Sequence, residues 1–291
     1  DTLTNIENVD FSDVSWDLVL NGDENENVLK GGSGNDTINA GAGSDTIDSG
    51  AGDDTIYGGA GDDTIIQSGS GTQHYDGGDG TDTYKLDTTS FGDVDFDIKV
   101  DLTTGFSGLK DNPDHVLNDT VTNIENVDFS DVSWDLVLNG DANANILKGG
   151  SGNDTIDSGA GDDKIYGGAG DDTIIQSGSG TQHYDGGAGT DTYEWDETAW
   201  IGESFVVKVD LDQGFSGLND NPGHLLNDTL TNIENIDFSD VTSFDLVLNG
   251  DANANILKGG SGNDTIDSGA GDDKIYGGAG DDTIIQSGSG T

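Results

Sequence analysis

The sequence predicts an all-β protein in which short parallel strands stack into a solenoid. The chain repeats itself at two scales, since a long unit recurs and contains runs of nonapeptides. In each nonapeptide one aliphatic or aromatic residue stands between polar neighbours, which is typical of a very short strand with one inward side chain. Glycine contributes 48 of the 291 residues and proline only two. Tight turns are therefore available in every repeat, and few prolines interrupt strand pairing.

The long unit appears three times, beginning at Asp1, Asp119 and Asp228. Each copy opens with the pattern DTxTNIEN, followed by a hydrophobic stretch and then by nonapeptides. The first copy is longer than the second because it contains one additional nonapeptide between Gly31 and Thr64. An insertion of one whole nonapeptide indicates that the nonapeptide is itself a structural unit.

The nonapeptide has a fixed arrangement, as in GGAGDDTII over Gly58–Ile66. Small residues at positions one, two and four allow a tight turn with positive φ. Asp occupies position six, and Ile or Tyr occupies position eight as the inward residue of a three-residue strand. Two nonapeptides then form one 18-residue coil with two strands, so each turn lies over the turn two repeats earlier.

Two kinds of repeat depart from the pattern. QSGSGTQHYD, at Gln67–Asp76, is one residue longer, and here Gln73 stands where Asp is expected, with the register open by one residue. Gln182 holds the same place in the second copy. Asn27 and Asn145 replace the position-six Asp in degenerate turns that precede the blocks.

The chain therefore divides into nonapeptide blocks and spacers. The spacers still alternate like strands, so we interpret them as wider coils of the same solenoid, with loops at Thr103–Asn118 and Gln213–Asn227. A separate small β-domain is the alternative. The predicted segments are the end of a spacer (1–21), block 1 (22–85), a spacer (86–139), block 2 (140–194), a spacer (195–249) and block 3 (250–291).

Charge excludes several classes of partner. The chain has 58 acidic and 9 basic residues, a formal net charge of -49. Such a polyanion is not expected to bind nucleic acid phosphates or an anionic membrane surface, and no apolar run is long enough to insert into a bilayer. This composition would permit disorder unless the carboxylates are neutralised. A hard divalent cation such as Ca²⁺, which prefers oxygen ligands, is the best candidate.

The nonapeptide pattern resembles the GGxGxDxUx repeat of the RTX (repeat-in-toxin) family, and the resemblance covers all three blocks. It implies a right-handed parallel β-roll with Ca²⁺ ions between stacked Gly/Asp turns. It also implies secretion through a one-step channel, folding on meeting external calcium, and an extracellular or cell-surface location.

The resemblance also implies the metal ligands, which are the position-six Asp residues of successive stacked turns. Simple solvated turn residues are the alternative reading. Sites opposite Gln73 and Gln182 should be weak or empty, and the position-five acids, such as Asp62, should face solvent. The predicted ligands are Asp36, Asp45, Asp54, Asp63, Asp82, Asp154, Asp163, Asp172, Asp191, Asp264, Asp273 and Asp282.

Two functions fit these features. The first is a structural segment of a secreted repetitive surface protein, such as an adhesin stalk, filament or S-layer-like coat, that self-associates with neighbouring copies. The second is the C-terminal secretion and folding module of an exoenzyme or toxin. Carbohydrate binding along the solenoid is a further possibility. No catalytic motif is present, and a catalytic centre rarely recurs in near-identical copies, so we expect no enzyme activity.

The spacer aromatics are expected to serve packing. Trp16, Trp134 and Phe244 occupy one equivalent position in the three copies and are predicted to be core or capping residues. Trp195 and Trp200 could form a sugar platform, but packing is the preferred interpretation.

Overall fold

The computed structural model describes residues 7–91, 97–109, 118–200, 206–218 and 227–290. This part of the chain is built from short strands, with two 3₁₀ turns at Thr88–Ser90 and Glu197–Trp200. None of its helices has the length and apolar character needed to cross a membrane. The chain forms two compact units, Asp1–Asn139 and Gly140–Thr291.

The first unit is a stack of parallel strands in two sheets, which confirms the predicted solenoid. One sheet has the order β1-β3-β5-β7-β9-β13 and the other the order β2-β4-β6-β8-β12-β11-β10-β14. The strands are β1 (Asn8–Asp10), β2 (Val19–Asn21), β3 (Val28–Lys30), β4 (Thr37–Ala42), β5 (Thr46–Asp48), β6 (Thr55–Ala60), β7 (Thr64–Gln67), β8 (His74–Asp79), β9 (Thr83–Leu86), β10 (Ile98–Asp101), β11 (Phe106–Leu109), β12 (Asn118–Thr122), β13 (Asn126–Asp128) and β14 (Leu136–Asn139).

The register of these strands confirms the two-nonapeptide coil. Thr37 of β4 lies opposite Thr55 of β6, two nonapeptides later. Across the ten-residue variant the offset grows by one, so that Thr55 lies opposite His74. The additional residue is therefore absorbed in the turn, and Gln73 occupies the position-six place.

Position eight forms the core, as predicted. Ile38, Ile56 and Tyr75 follow one another in one sheet and are fully buried. Ile47, Ile65 and Tyr84 do the same in the other sheet. Each coil thus contributes one large apolar side chain from each sheet, and neighbouring coils are needed to cover it.

The first spacer continues the solenoid and adds an antiparallel hairpin. β12 and β13 stack in parallel on β8 and β9, which argues against a separate β-domain. β11 pairs antiparallel with both β10 and β12, so Phe106–Leu109 is a strand within the predicted loop Thr103–Asn118. This four-residue strand contains Ser107 and Gly108, and it has too little alternation to be predicted. Residues 110–117 of the predicted loop lie outside the described residues.

The second unit has the same design. Its sheets have the orders β15-β17-β19-β23-β22-β21-β25-β27-β29 and β16-β18-β20-β24-β26-β28. The strands are β15 (Ile146–Lys148), β16 (Thr155–Asp157), β17 (Lys164–Ala169), β18 (Thr173–Gln176), β19 (His183–Ala188), β20 (Thr192–Trp195), β21 (Val206–Asp210), β22 (Phe215–Leu218), β23 (Asn227–Thr231), β24 (Asn235–Asp237), β25 (Asp245–Asn249), β26 (Ile256–Lys258), β27 (Thr265–Asp267), β28 (Lys274–Tyr276) and β29 (Thr283–Ile285).

The second spacer contains the same hairpin, but here the hairpin joins the sheet that does not contain the strand after the opening GGSGND turn. β22 pairs antiparallel with β21 and β23, so Phe215–Leu218 is a strand within the predicted loop Gln213–Asn227. In the first unit the hairpin joins the sheet of β4, the strand after the opening GGSGND turn. In the second unit the corresponding strand, β16, lies in the sheet without the hairpin.

Glycine serves two separate purposes in the turns. In the nine-residue turns that follow the opening turn, the backbone at positions two and four is left-handed, as at Gly59 (φ 117°) and Gly61 (φ 128°), whereas the glycines of the opening turns have no positive φ. Gly58, at position one, has no positive φ, but a Cβ there would lie 2.4 Å from the carbonyl oxygen of Gly77. The predicted positive φ is therefore confirmed at positions two and four of the turns after the opening one, whereas position one needs a small residue because the next coil approaches closely.

The spacer aromatics mostly pack, as expected. Trp134 and Phe244 are buried, whereas Trp16 is 66% exposed, so the core prediction is wrong for Trp16. The reason is its position between β1 and β2, which are edge strands of their sheets in this unit. Trp195 is buried, and its ring centre lies 6.1 Å from that of Trp200.

Truncating a position-eight side chain should destabilise the solenoid far more than truncating its neighbour. Ile56→Ala leaves a cavity between two coils and should lower the free energy of unfolding by about 2–5 kcal/mol. Tyr57→Ala is the matched control, because Tyr57 is 41% exposed and should cost less than about 1 kcal/mol. Urea unfolding with calcium present, followed by circular dichroism, measures both. Equal losses would contradict the assignment of position eight as the core.

Candidate metal sites in the stacked turns

The position-six carboxylates form a ladder along each column of turns. Oδ1 of Asp63 accepts a hydrogen bond from the backbone N–H of Asp45 at 2.7 Å, and Oδ1 of Asp82 accepts from the N–H of Asp63 at 2.7 Å. The same bond joins Asp54 to the N–H of Asp36. The pairs expected from the repeat spacing are therefore in contact. In the second unit the equivalent bonds join Asp172 to Asp154, Asp191 to Asp172 and Asp282 to Asp264.

These side chains are buried although they stand in turns. Ten of the predicted ligands are almost completely buried, and Asp273 and Asp282, close to the last described strand, are half-buried. Solvated turn residues would be exposed, so the solvated-turn alternative does not describe this geometry. The buried members are Asp36, Asp45, Asp54, Asp63, Asp82, Asp154, Asp163, Asp172, Asp191 and Asp264.

Position five forms a second ladder that runs in the opposite direction. Oδ1 of Asp62 accepts from the backbone N–H of Thr81, one coil later, at 3.0 Å. Asp53 accepts from Thr72 in the same way. The position-five side chains are exposed, as predicted, but the sequence did not show that they also satisfy a backbone donor of the following coil.

The second oxygen of most position-six carboxylates has no hydrogen-bond donor in the described structure. Oδ2 of Asp63 is buried and makes no hydrogen bond. A buried carboxylate oxygen without a partner is costly, because it has lost water and gained nothing in exchange. The same holds for Oδ2 of Asp45, Asp54, Asp82, Asp163, Asp191 and Asp273.

Where glycine stands at position one, Oδ2 of the same turn lies beside a backbone carbonyl of the next coil. A Cβ built on Gly58 would lie 2.5 Å from Oδ2 of Asp63 and 2.4 Å from the carbonyl oxygen of Gly77. The glycine therefore leaves open a space toward which a carboxylate oxygen and a carbonyl oxygen both point. Gly167 has the same neighbours, Oδ2 of Asp172 and the carbonyl of Gly186, both at 2.4 Å.

This donor set suits a hard divalent cation. No group of three acidic, histidine or cysteine side chains that could hold a metal ion occurs in the described part of the chain. The oxygens that meet beside the position-one glycines are a carboxylate oxygen and a backbone carbonyl oxygen. Calcium accepts that mixture and tolerates irregular geometry. Bound calcium would supply positive charge to the oxygens that lack donors.

The opening turn of each block differs from the turns that follow. Oδ2 of Asp36 accepts a hydrogen bond from the N–H of Gly32 in its own turn, at 2.9 Å. Asp154 and Asp264 do the same with Gly150 and Gly260. Both oxygens of Asp36 and of Asp264 are hydrogen-bonded to backbone, and Oδ2 of Asp154 is also occupied, which makes these three predicted ligands the poorest metal ligands of the set.

The columns continue beyond the last nonapeptide into the spacer. Oδ1 of Asp119 accepts from the N–H of Gln73 at 2.7 Å, and Oε2 of Glu125 accepts from the N–H of Asp82 at 2.8 Å. Asp228 and Glu234 repeat these contacts in the second unit. Sequence reasoning missed these four acids because they lie outside the nonapeptide register. Their recurrence within DTxTNIEN was the available signal.

Burial raises the pKa of the column carboxyls. Desolvation moves the pKa of Asp63 and of Asp82 to about 6, although the backbone N–H bonded to each lowers it in part. The pKa of Asp119 rises to about 7, mainly through desolvation and further through the charge of Asp54. Without a cation, these groups therefore keep their protons to a higher pH than exposed carboxyl groups do.

With this geometry established, the comparison with known families is informative. The model of the RTX calcium-binding nonapeptide repeat matches residues 21–56, 30–65, 52–84, 139–174 and 249–284. The chain carries RTX calcium-binding nonapeptide repeats in several copies. All three nonapeptide blocks carry RTX matches, and the spacers between them carry none. No curated protein matches the chain.

RTX repeats bind calcium, which agrees with the oxygen donors of the turns. The individual ligand residues remain predictions. In the column of Asp45, Asp63 and Asp82, each of three successive coils contributes a carboxylate oxygen that accepts no hydrogen bond. In the column that contains Asp54, the next coil has Gln73 at position six. The oxygen of the Gln73 amide accepts from Asp54, and its nitrogen is buried and cannot ligate a cation.

Replacing one buried carboxylate by its amide should weaken calcium binding while keeping the hydrogen bond between neighbouring coils. In Asp63→Asn the amide oxygen can still accept from Asp45, but an NH₂ group replaces Oδ2. Calcium affinity should fall at least about tenfold, the scale set by losing even a supporting ligand contact. Asp62→Asn is the matched control, since an exposed amide can still accept from Thr81. Isothermal titration calorimetry measures both, and similar effects of the two substitutions would refute the assignment of position six.

Acidity should substitute in part for calcium. An unfolded Asp has a pKa near 3.9, so the folded chain binds more protons than the unfolded chain between about pH 4 and 6. Folding is then favoured at low pH, and that contribution is lost as the pH rises through about 6. Far-UV circular dichroism in calcium-free buffer should show more β-structure at pH 4.5 than at pH 7.5. With calcium the dependence should reverse, because protons compete with the ion. β-structure that increases with pH in calcium-free buffer would contradict these raised pKa values.

Proposed function

We propose that the chain is a calcium-dependent structural segment of a secreted, repetitive surface protein, such as an adhesin stalk, an extracellular filament or an S-layer-like coat. The observation that carries this proposal is the set of buried carboxylate oxygens, typified by Oδ2 of Asp63, that lack a hydrogen-bond donor. A fold that buries them is stable only when a cation neutralises them. External calcium would then act as the signal to fold, which agrees with an extracellular or cell-surface location.

A structural role is supported over catalysis by the repetition of the units. His74 and His183, in the variant turns, each hydrogen-bond to a threonine of the adjacent spacer strand. The same contact in both copies is what a packing role requires. We therefore propose that this segment is not an enzyme.

The negative charge that bound calcium does not neutralise affects how copies of the chain assemble. Position-five carboxylates such as Asp53 and Asp62 remain exposed along the edge of the turns. Calcium bridging between such edges would join neighbouring copies, so self-association is part of the proposal. Carbohydrate binding remains a prediction, testable on glycan arrays with and without calcium.

A C-terminal module of an exoenzyme or toxin would share the calcium chemistry but stand beside a catalytic domain. Three near-identical copies of the long unit favour a repetitive array instead. Imaging of the native assembly with calcium distinguishes the two, because an array shows repeated segments and a secretion module does not.

Calcium should switch the chain from an expanded coil to a folded solenoid. Circular dichroism in chelator should show a coil, and calcium at about 1 mM, the affinity range of extracellular calcium modules, should restore β-signal and reduce the radius of gyration measured by X-ray scattering. Magnesium at the same concentration is the control and should have a much smaller effect, because it demands octahedral geometry and keeps its water. Identical spectra in chelator and in calcium would refute the proposal.

A further inference from the structure

The DTxTNIEN motif of the spacers has no part in the nonapeptide blocks, yet it lies directly on their last turn. The backbone N–H of Asp82, the last position-six residue of block 1, donates to Oε2 of Glu125 at 2.8 Å. Inside the block the corresponding acceptor is the carboxylate of the next nonapeptide, as for Asp63 and Asp82. Glu125 thus takes the place of the next position-six Asp.

The oxygen donors beside Asp82 also match those of the block. Asp82 is 0% exposed, and its Oδ2 makes no hydrogen bond. A Cβ built on Gly77 would lie 2.5 Å from this oxygen and 2.0 Å from the carbonyl oxygen of Asn123. The carbonyl therefore replaces the one that Gly77 itself supplies to the turn before. A carboxylate oxygen and a carbonyl oxygen again converge on an open position-one glycine.

The backbone of the motif is held in an unusual conformation to achieve this. Asn123 has φ 51°, and it and Asn232 are the non-glycine residues with positive φ in the described part of the chain. Asn tolerates this region better than other residues with a Cβ. Its side-chain Nδ2 donates to Oδ1 of Asp76 at 2.7 Å, which fixes the turn against the preceding coil.

The second unit contains the same arrangement. The N–H of Asp191 donates to Oε2 of Glu234 at 2.8 Å, and Oδ2 of Asp191 is buried without a donor. A Cβ on Gly186 would lie 2.6 Å from that oxygen and 2.1 Å from the carbonyl of Asn232. Two independent copies of a non-repeat motif thus build the same oxygen cluster.

We propose that each block ends in a junction cation site, formed by its last position-six Asp and by the Asn carbonyl and Glu carboxylate of DTxTNIEN. Its ligand is a hard divalent cation of the calcium type. The site consists of Asp82, Asn123 and Glu125 in the first unit and of Asp191, Asn232 and Glu234 in the second. It fastens the first spacer coil to the block, so the spacer folds with calcium too. This inference rests on the calcium-dependent folding proposed above.

The test removes one charge from each junction. The double variant Glu125→Gln, Glu234→Gln retains an acceptor for the backbone N–H groups but removes the charge. Bound calcium, counted by equilibrium dialysis with ⁴⁵Ca, should fall by two ions per chain, or two sites should weaken by roughly tenfold or more. Glu7→Gln is the matched control: Glu7 holds the same place in the first copy of the motif and is exposed, and its substitution should leave the calcium count unchanged.

A second variant keeps the result interpretable. Asp79→Asn removes one exposed carboxylate from the last turn of block 1, so it should bind calcium with the wild-type stoichiometry. If the double variant still folds on calcium and binds as many ions with unchanged affinity, the junction site is refuted while calcium-dependent folding of the blocks stands. If the wild-type chain itself does not fold on calcium, the proposed function fails instead. A double variant that loses stability but no calcium also overturns the site, because its glutamates are then only structural.

Discussion

The structure depends on one constraint, which is that a column of buried carboxylates must be neutralised. In the part of the chain that the structure describes, the ion pairs of Lys99, Lys208 and Lys258 reach aspartates on strands of the spacer regions and not the position-six carboxylates. In the turns after the opening turn of each block, one oxygen of the position-six side chain is held by a backbone N–H of the preceding coil, and in most of them the other oxygen has no donor in the described structure. Burial then raises the pKa of the carboxyl. The fold is therefore less stable without a cation and depends on one.

Other features of the repeat follow from this constraint. Where glycine stands at position one, it keeps space for an ion between a carboxylate and a carbonyl. In the turns after the opening one, left-handed glycines at positions two and four reverse the chain within a few residues. The two side-chain ladders run in opposite directions, so neighbouring coils donate backbone hydrogen bonds to each other. Because each position-eight side chain is covered only by adjacent coils, stability is nearest-neighbour in character, and a missing ion weakens the coils on both sides of it.

The sequence alone predicted the block architecture well and its details less well. Fixed spacing placed Asp45, Asp63 and Asp82 in contact and Ile56 in the core, because a strictly periodic solenoid maps sequence offset onto spatial neighbours. It could not show that Asp36 satisfies both oxygens with backbone, since that depends on the torsion angles of its own turn. It also missed Glu125, which joins the column across an inserted hairpin. Sequence distance carries no information there, because β11 reverses the direction of the chain.

The additional nonapeptide of the first block has a consequence beyond length. Successive nonapeptides supply strands to opposite sheets, so an odd insertion changes the parity of everything that follows it. This explains why the spacer hairpin shares a sheet with β4 in the first unit but not with β16 in the second. Each added nonapeptide therefore moves the following spacer hairpin by half a coil, from one sheet to the other. By gaining or losing a single repeat, such a protein can present the same spacer on either of its two sheets.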